Sequence, residues 1–190
     1  MKPTIFILLI FTNSLMQSNP QLNLHENLDK RFQGGTDAFF KFWGTETRYV
    51  RKARENCVVG VAIFTFQVDC EGKLQNITFK NKLGSGLDEE VERVLKLTEN
   101  QWLKCKDNQE DTFELSVKFV LGNTQFSGQG EITITGYQSG SQCPNDEDLI
   151  KQLKKVKKKN QTANIISLYE ELIRRNPHNQ AYREELQKIK

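Results

Sequence analysis

The chain has 190 residues, 27 Lys and Arg against 24 Asp and Glu, a net charge of +3 and 37% hydrophobic residues. That length admits one domain with a real core plus a small addition and excludes two large domains. Its only histidines are His25, in a polar lead-in, and His178, in a helix turn, so neither a histidine-based triad nor a histidine metal site assembles.

Lys2, the apolar run from Ile5 to Phe11 and the polar Thr12-Asn13-Ser14 follow the pattern of a secretory signal peptide, expected over residues 1–18 with a cut near Ser14 or Ser18. The run is too short to span a bilayer reliably. No cysteine precedes Cys57, so a lipid anchor at the usual site is not expected, and the mature chain should be free in an exported compartment. Residues 19–31 are polar and uneven and read as a flexible lead-in.

Phe39, Phe40, Phe42 and Trp43 read as a short helix laying aromatics on a sheet, in preference to a ligand-stacking cluster. Arg48, Arg51, Lys52 and Arg54 form a solvated basic helix face, with Tyr49 and Ala53 turned inward. In Val61 to Val68, Ala62, Phe64, Phe66 and Val68 share one face of a strand, and that face is the core face. Asp69 to Lys73 supplies turn chemistry with Gly72 free to take positive φ, and Leu74 to Lys80 returns as the second strand of a hairpin.

After Gly84-Ser85-Gly86, the positions Leu87, Val91, Val94, Leu95 and Thr98 follow a 3.6-residue period. Asp88, Glu89 and Glu90 crowd the first turn, where the helix dipole favours negative charge, and Ser85-x-x-Asp88 fits a capping box. Phe113, Leu115, Val117, Phe119 and Leu121 then alternate with Glu114, Ser116, Lys118 and Val120, as expected of a sheet covered by helices on one face. A weaker alternation around Ile132 and Ile134 predicts a fourth strand or a β-extension.

Ser139-Gly140-Ser141 and Pro144 mark a linker over residues 139–145. Beyond it, Leu149, Ile150, Leu153 and Val156 stripe one helix. Ile165, Ile166, Tyr169, Leu172 and Ile173 stripe a second that ends at Asn176-Pro177. This segment, 146–190, resembles one tetratricopeptide repeat followed by a cap helix with Tyr182, Leu186 and Ile189. A single repeat cannot bury its face alone, so it should pack on the sheet or on a partner. From Pro144 onward there are 11 basic and 7 acidic residues, with Lys151, Lys154, Lys155, Lys157, Lys158 and Lys159 as the densest run. They read as a solvated helix face; anionic lipid or lipopolysaccharide headgroups are the next candidates, and nucleic acid is not expected.

Cys57, Cys70, Cys105 and Cys143 allow disulfides in an exported chain, or remain four free thiols. No pair has the two-residue gap of a zinc or thioredoxin-type site. Cys57 and Cys70 lie at opposite ends of one strand, roughly 40 Å of extended chain apart, too far for one bridge. No phosphate-binding loop is present, and the acidic residues of the helix start are explained by the dipole. The reading is a binding protein, not an enzyme, with no cofactor and no metal.

The ordered set Phe32-Gln33-Gly34-Gly35, Ala38-Phe39, Arg48-Tyr49, Ala53-Arg54-Glu55-Asn56, Gly60, Val68 to Leu74, Gly86 to Glu90 and Trp102 resembles a TonB C-terminal domain over Phe32 to Leu121. Val50 stands where that family usually has proline, and Cys70 sits in a turn that usually lacks cysteine. The resemblance implies an α+β domain over 32–138: a small antiparallel sheet built in the order hairpin, helix, strand, with helices on one face, followed by the C-terminal helical hairpin. It places Cys70 and Cys105 at the same end of the sheet, which implies a Cys70–Cys105 bridge and leaves Cys57 with Cys143.

It also implies a function in the periplasm. The last strand would expose an edge to which an extended peptide of an outer-membrane transporter or other envelope protein adds as a strand, with Phe113, Glu114, Ser116, Lys118 and Val120 as the partner-binding residues. Family members that transmit force carry a membrane-spanning anchor; none is read here, so binding without energy transduction is expected. The alternative is a periplasmic scaffold gripping its partner through the C-terminal helices. A homodimer and contact with a membrane surface stay open.

Overall fold

The computed structural model describes residues 20–106, 110–137 and 143–190. The expected signal segment and most of the expected linker lie outside them. Strand β1, Gly60–Val68, is the hub: it pairs antiparallel with β2, Leu74–Asn81, on one side and with β3, Asp111–Leu121, on the other. A fourth strand, β4, Ile132–Gly136, pairs with the second half of β3, giving the order β2-β1-β3-β4. The class is α+β, as expected. The sheet is nevertheless mixed, because β4 runs parallel to β3 and the intervening chain must cross back before pairing.

The period-2 faces assign the core. Ala62, Phe64, Phe66 and Val68 of β1 and Phe113, Leu115, Val117 and Phe119 of β3 are buried against three helices, α1 (Pro20–Arg31), α2 (Gly35–Glu46) and α4 (Leu87–Leu97). Phe39 and Trp43 from α2, with Phe32 and Trp102, complete an aromatic cluster; Phe66 stacks on Phe113 at 5.1 Å between ring centroids. A short helix α3, Arg51–Glu55, buries Ala53 as its pattern predicts.

Residues 20–31 are not a flexible lead-in. They form α1, which buries Leu24 and Leu28 one turn apart and carries the chain to buried Phe32. That apolar stripe at i, i+4, i+8 is thin enough to be hidden in a polar segment.

Nor does the capping box at Ser85 form. The residue before α4 is Gly86 in the left-handed region, and Asp88 instead accepts from the amides of Leu83 and Gly84, each at 2.8 Å. Glu90 is buried and accepts from the Arg48 amide at 2.7 Å and the Arg93 guanidinium at 2.8 Å. Burial pushes its carboxyl up, but those donors outweigh it and hold the group below the ordinary range. Glu90 therefore ties the segment after α2 to α4.

The opposite face of the sheet is covered as well, which corrects the one-sided expectation. Helices α5 (Asp146–Lys158), α6 (Thr162–Arg175) and α7 (Gln180–Gln187) pack around Leu149, Leu153, Ile165, Tyr169 and Leu172. The end of α6 reaches β1: a Cβ on Gly60 would stand 2.7 Å from the Arg174 carbonyl, and one on Gly128 would collide with that of Arg175. This approach is why Val61 and Ile63, off the core face, are buried too.

Both disulfides implied by the resemblance form, Cys70–Cys105 with Cα atoms 4.6 Å apart and Cys57–Cys143 at 5.5 Å. Cys70 and Cys105 flank the end where β1 leaves for the hairpin turn and β3 begins. Cys57 and Cys143 flank the other end, where β1 begins and β3 and β4 finish. Among the described residues no helix is long and apolar enough to cross a membrane.

Candidate functional site

The residues expected to meet a partner strand lie on β3, whose second half, Val117–Leu121, is paired to β4, while Phe113, Glu114 and Ser116 lie in the half that β4 does not reach. Phe113 is in the aromatic core. Glu114 pairs with Lys80, and Ser116 is buried with both its amide and its hydroxyl donating to Glu131. Lys118 stands over the Phe126 ring at 4.5 Å from its centroid, and Val120 is half-buried in the stretch paired to β4. Every one of them is engaged within the chain. The short alternation at Ile132 and Ile134 gives no sign of where that strand pairs.

Of the two edge strands, β2 and the five-residue β4, β2 is the longer. Eight residues long, it pairs with β1 and, among the described residues, with no strand on its outer side. Its hairpin turn is tightly specified: Asp69 Oδ1 accepts from the amides of Glu71 at 2.9 Å and Lys73 at 2.8 Å. These backbone donors, Lys73 first, hold the Asp69 carboxyl below its ordinary range. Gly72, at φ 85°, lies where a Cβ would meet the Trp102 carbonyl at 2.6 Å. Leu74, Ile77 and Phe79 pack their inner sides on the core and stay half-buried, while Gln75, Asn76, Thr78 and Lys80 are exposed.

Register shifts against β1 interrupt β2 on either side of Thr78–Phe79, and Asn76 has a positive φ of 52°. Bulges and a lysine blunt an edge against indiscriminate pairing without closing it.

At its far end β2 meets the helical segment. The Asn81 side-chain amide donates to the Val61 carbonyl at 2.6 Å and to the Arg174 carbonyl at 3.1 Å, locking the strand end to α6. Beside this lock a groove of about 480 Å³ opens between the strand end and helices α6 and α7. Lys82 stands on the strand side, Arg174, Arg183 and Lys190 on the helix side. Burial, and then the neighbouring Arg175, pull Arg174 below the usual guanidinium range. Sequence reading passed over both features; the available signal was the polar alternation of Leu74 to Lys80 in the outer strand of a hairpin.

The lysine run lies exposed along α5 and its C-terminal end, as expected; Lys157, exposed as well, pairs with Glu185 and stands 5.0 Å from the Tyr169 ring centroid. No group of three or more His, Cys, Asp or Glu among the described residues could hold a metal ion.

No family model matches the chain, and no curated protein matches it. Among solved structures, the chain is similar to the TonB C-terminal domain of Helicobacter pylori, determined by NMR in solution, at 12% identity over 42% of this chain and 88% of that one, with a TM-score of 0.34. At that level the likeness assigns no residue a role.

Proposed function

We propose that this chain is a non-catalytic, exported binding module that captures an extended peptide by strand addition at β2. The observation that carries the reading is an eight-residue strand whose outer side, among the described residues, is unpaired and whose neighbour β1 is the most buried in the sheet. A peptide added there finds a rigid template, since the turn, the core and Asn81 all hold β2 in place. Two disulfides support an oxidising compartment; in this reading the compartment is the periplasm and the peptide belongs to an envelope or outer-membrane transport protein. In this reading the module binds and does not itself transduce energy.

Main-chain pairing alone is weak. At about 1 kcal/mol net for each hydrogen bond, about four of them reach only the ~4 kcal/mol of a millimolar complex. A side-chain anchor must supply the rest. The scaffold reading has less support, because the apolar stripes of α5 and α6 are consumed inside the helical segment.

Amide hydrogen exchange on the oxidised chain, with and without a captured peptide, tests the reading. Added protection over Leu74–Asn81 with none on β3 is the expected result. Protection confined to α5–α7 would replace it with the scaffold.

A further inference from the structure

We propose that the groove between the end of β2 and helices α6 and α7 binds a carboxylate of the same extended peptide, so that an acidic group anchors the added strand. The inference rests on strand addition at β2 and names the chemistry that completes it.

Position is the first argument. A peptide lying beside β2 advances about 3.3 Å per residue, so the residue beyond the partner of Asn81 arrives at Lys82 and the groove mouth. The Asn81 bonds to Val61 and Arg174 fix the distance between edge and groove, so both contacts are available to one ligand without rearrangement.

Charge is the second. Four cations, Lys82, Arg174, Arg183 and Lys190, face the groove against one carboxylate, Glu170. Glu170 is taken by Lys190 at 2.9 Å, which leaves three cations without a carboxylate in the groove. Arg183 is held by two bonds to the Pro177 carbonyl, from Nε at 3.1 Å and Nη2 at 2.7 Å, so its guanidinium is exposed yet oriented. Arg174 pairs with Glu171 behind the groove, while its buried Nε–H has no acceptor. An anion bound here offsets the mutual repulsion of these cations.

The floor is the third. Ile173 and Leu186 are half-buried between the charges, so the groove takes an acidic residue flanked by an apolar one rather than a bare ion.

Selection of random dodecapeptides on the oxidised full chain supplies the probe. The best binder is then synthesised with its Asp or Glu replaced by the amide, and separately with an amidated C-terminus, and titrated by fluorescence anisotropy at physiological salt. Expected is a loss of tenfold or more for one of these two, which says whether the carboxylate is a side chain or the terminus. Lys82→Gln and Arg183→Gln should each weaken the acidic peptide several-fold and leave its neutral analogue unchanged. Lys82→Gln carries the test alone if Arg183→Gln loosens α7 by circular dichroism.

Selected peptides that protect β2 amides but bind equally with and without their carboxylates would overturn the groove and leave strand addition standing. Carboxylate dependence with no β2 protection would uphold the groove and overturn strand addition. Selection of no peptide would overturn both.

Discussion

Each end of the sheet is fastened by one disulfide and one buried arginine, and the two ends use them differently. At the hairpin end, next to Cys70–Cys105, Arg31 is 4% exposed and donates to the carbonyls of Leu103 at 3.0 Å and Asp69 at 2.7 Å while pairing with Asp111. Its partners belong to the sheet and the loops entering it. At the opposite end, next to Cys57–Cys143, Arg175 is 1% exposed and is bound by Glu171 at 2.7 Å, the Pro144 carbonyl at 2.8 Å and Asp146 at 3.4 Å. Glu171 and Asp146 belong to the C-terminal segment and Pro144 to the linker that leads into it. Arg31 is thus part of the domain's own closure, whereas Arg175 organises an appended helical segment that is then pressed onto the sheet.

The largest effect should come from removing either arginine. Truncation of one member of a buried pair costs about 3–5 kcal/mol; Arg31→Met leaves Asp111 without its cation and Arg175→Met leaves Asp146 without its own. Arg31→Met should lower the stability of the whole domain by that amount in denaturant titration. Arg175→Met should cost a similar amount but localise it, exposing α5–α7 amides to exchange while β1 and β3 stay protected. Equal, global loss in both variants would mean that the two ends are one cooperative unit.

Disulfides come next. In the chain-entropy account a longer loop gives more stabilisation, typically about 2–4 kcal/mol. Cys57–Cys143 closes 86 residues of sequence separation and Cys70–Cys105 closes 35. Cys57→Ser with Cys143→Ser should therefore destabilise more than Cys70→Ser with Cys105→Ser, by under about 1 kcal/mol, and melting under identical conditions measures the difference.

Much of this arrangement was legible in the sequence. The alternation of Phe113 to Leu121 and the helical period from Leu87 located the core because burial on one face leaves a periodic trace. Pairing order leaves none: Ile132 and Ile134 announce a strand, but its place beside β3 is set by a crossover whose close approaches, at Gly128 and Gly130, are tertiary. The pairing of Val117–Leu121 with β4 was for that reason not legible in the alternation of β3. Arg31 and Arg175 were equally illegible, since a buried arginine and a solvated one are the same letter and the partners of Arg31 lie up to 80 positions away.

Glycines sharpen the comparison at a smaller scale. Gly72→Ala at the hairpin end meets both an unfavourable φ and the Trp102 carbonyl. Gly60→Ala at the other end meets the Arg174 carbonyl. Each should cost about 1–3 kcal/mol, but only Gly60→Ala should loosen α6, read as faster exchange near the end of that helix.

Acid should separate the ends most gently. Glu185 on α7 accepts from Lys188 at 2.7 Å and Lys157 at 3.2 Å, and these hydrogen bonds pull its carboxyl down to about 2. A carboxyl depressed in the folded state stabilises fully above its unfolded value of about 4.3 and loses that contribution as pH falls through the folded value. The attachment of α7 should therefore weaken between about pH 4.5 and 2. Asp69 obeys the same sign at the hairpin end, but its donors are backbone amides of its own turn, so its protonation should loosen the turn and leave α7 docked. Glu185→Gln removes the ionisation while keeping an acceptor for Lys157, and should flatten the acid response of α7 cross-peaks in NMR spectra without altering that of residues 69–73. An unchanged α7 response in Glu185→Gln would mean that its docking is governed by the apolar contacts of Tyr182, Leu186 and Ile189 with the helical core, and that the lysine run contributes only solvation.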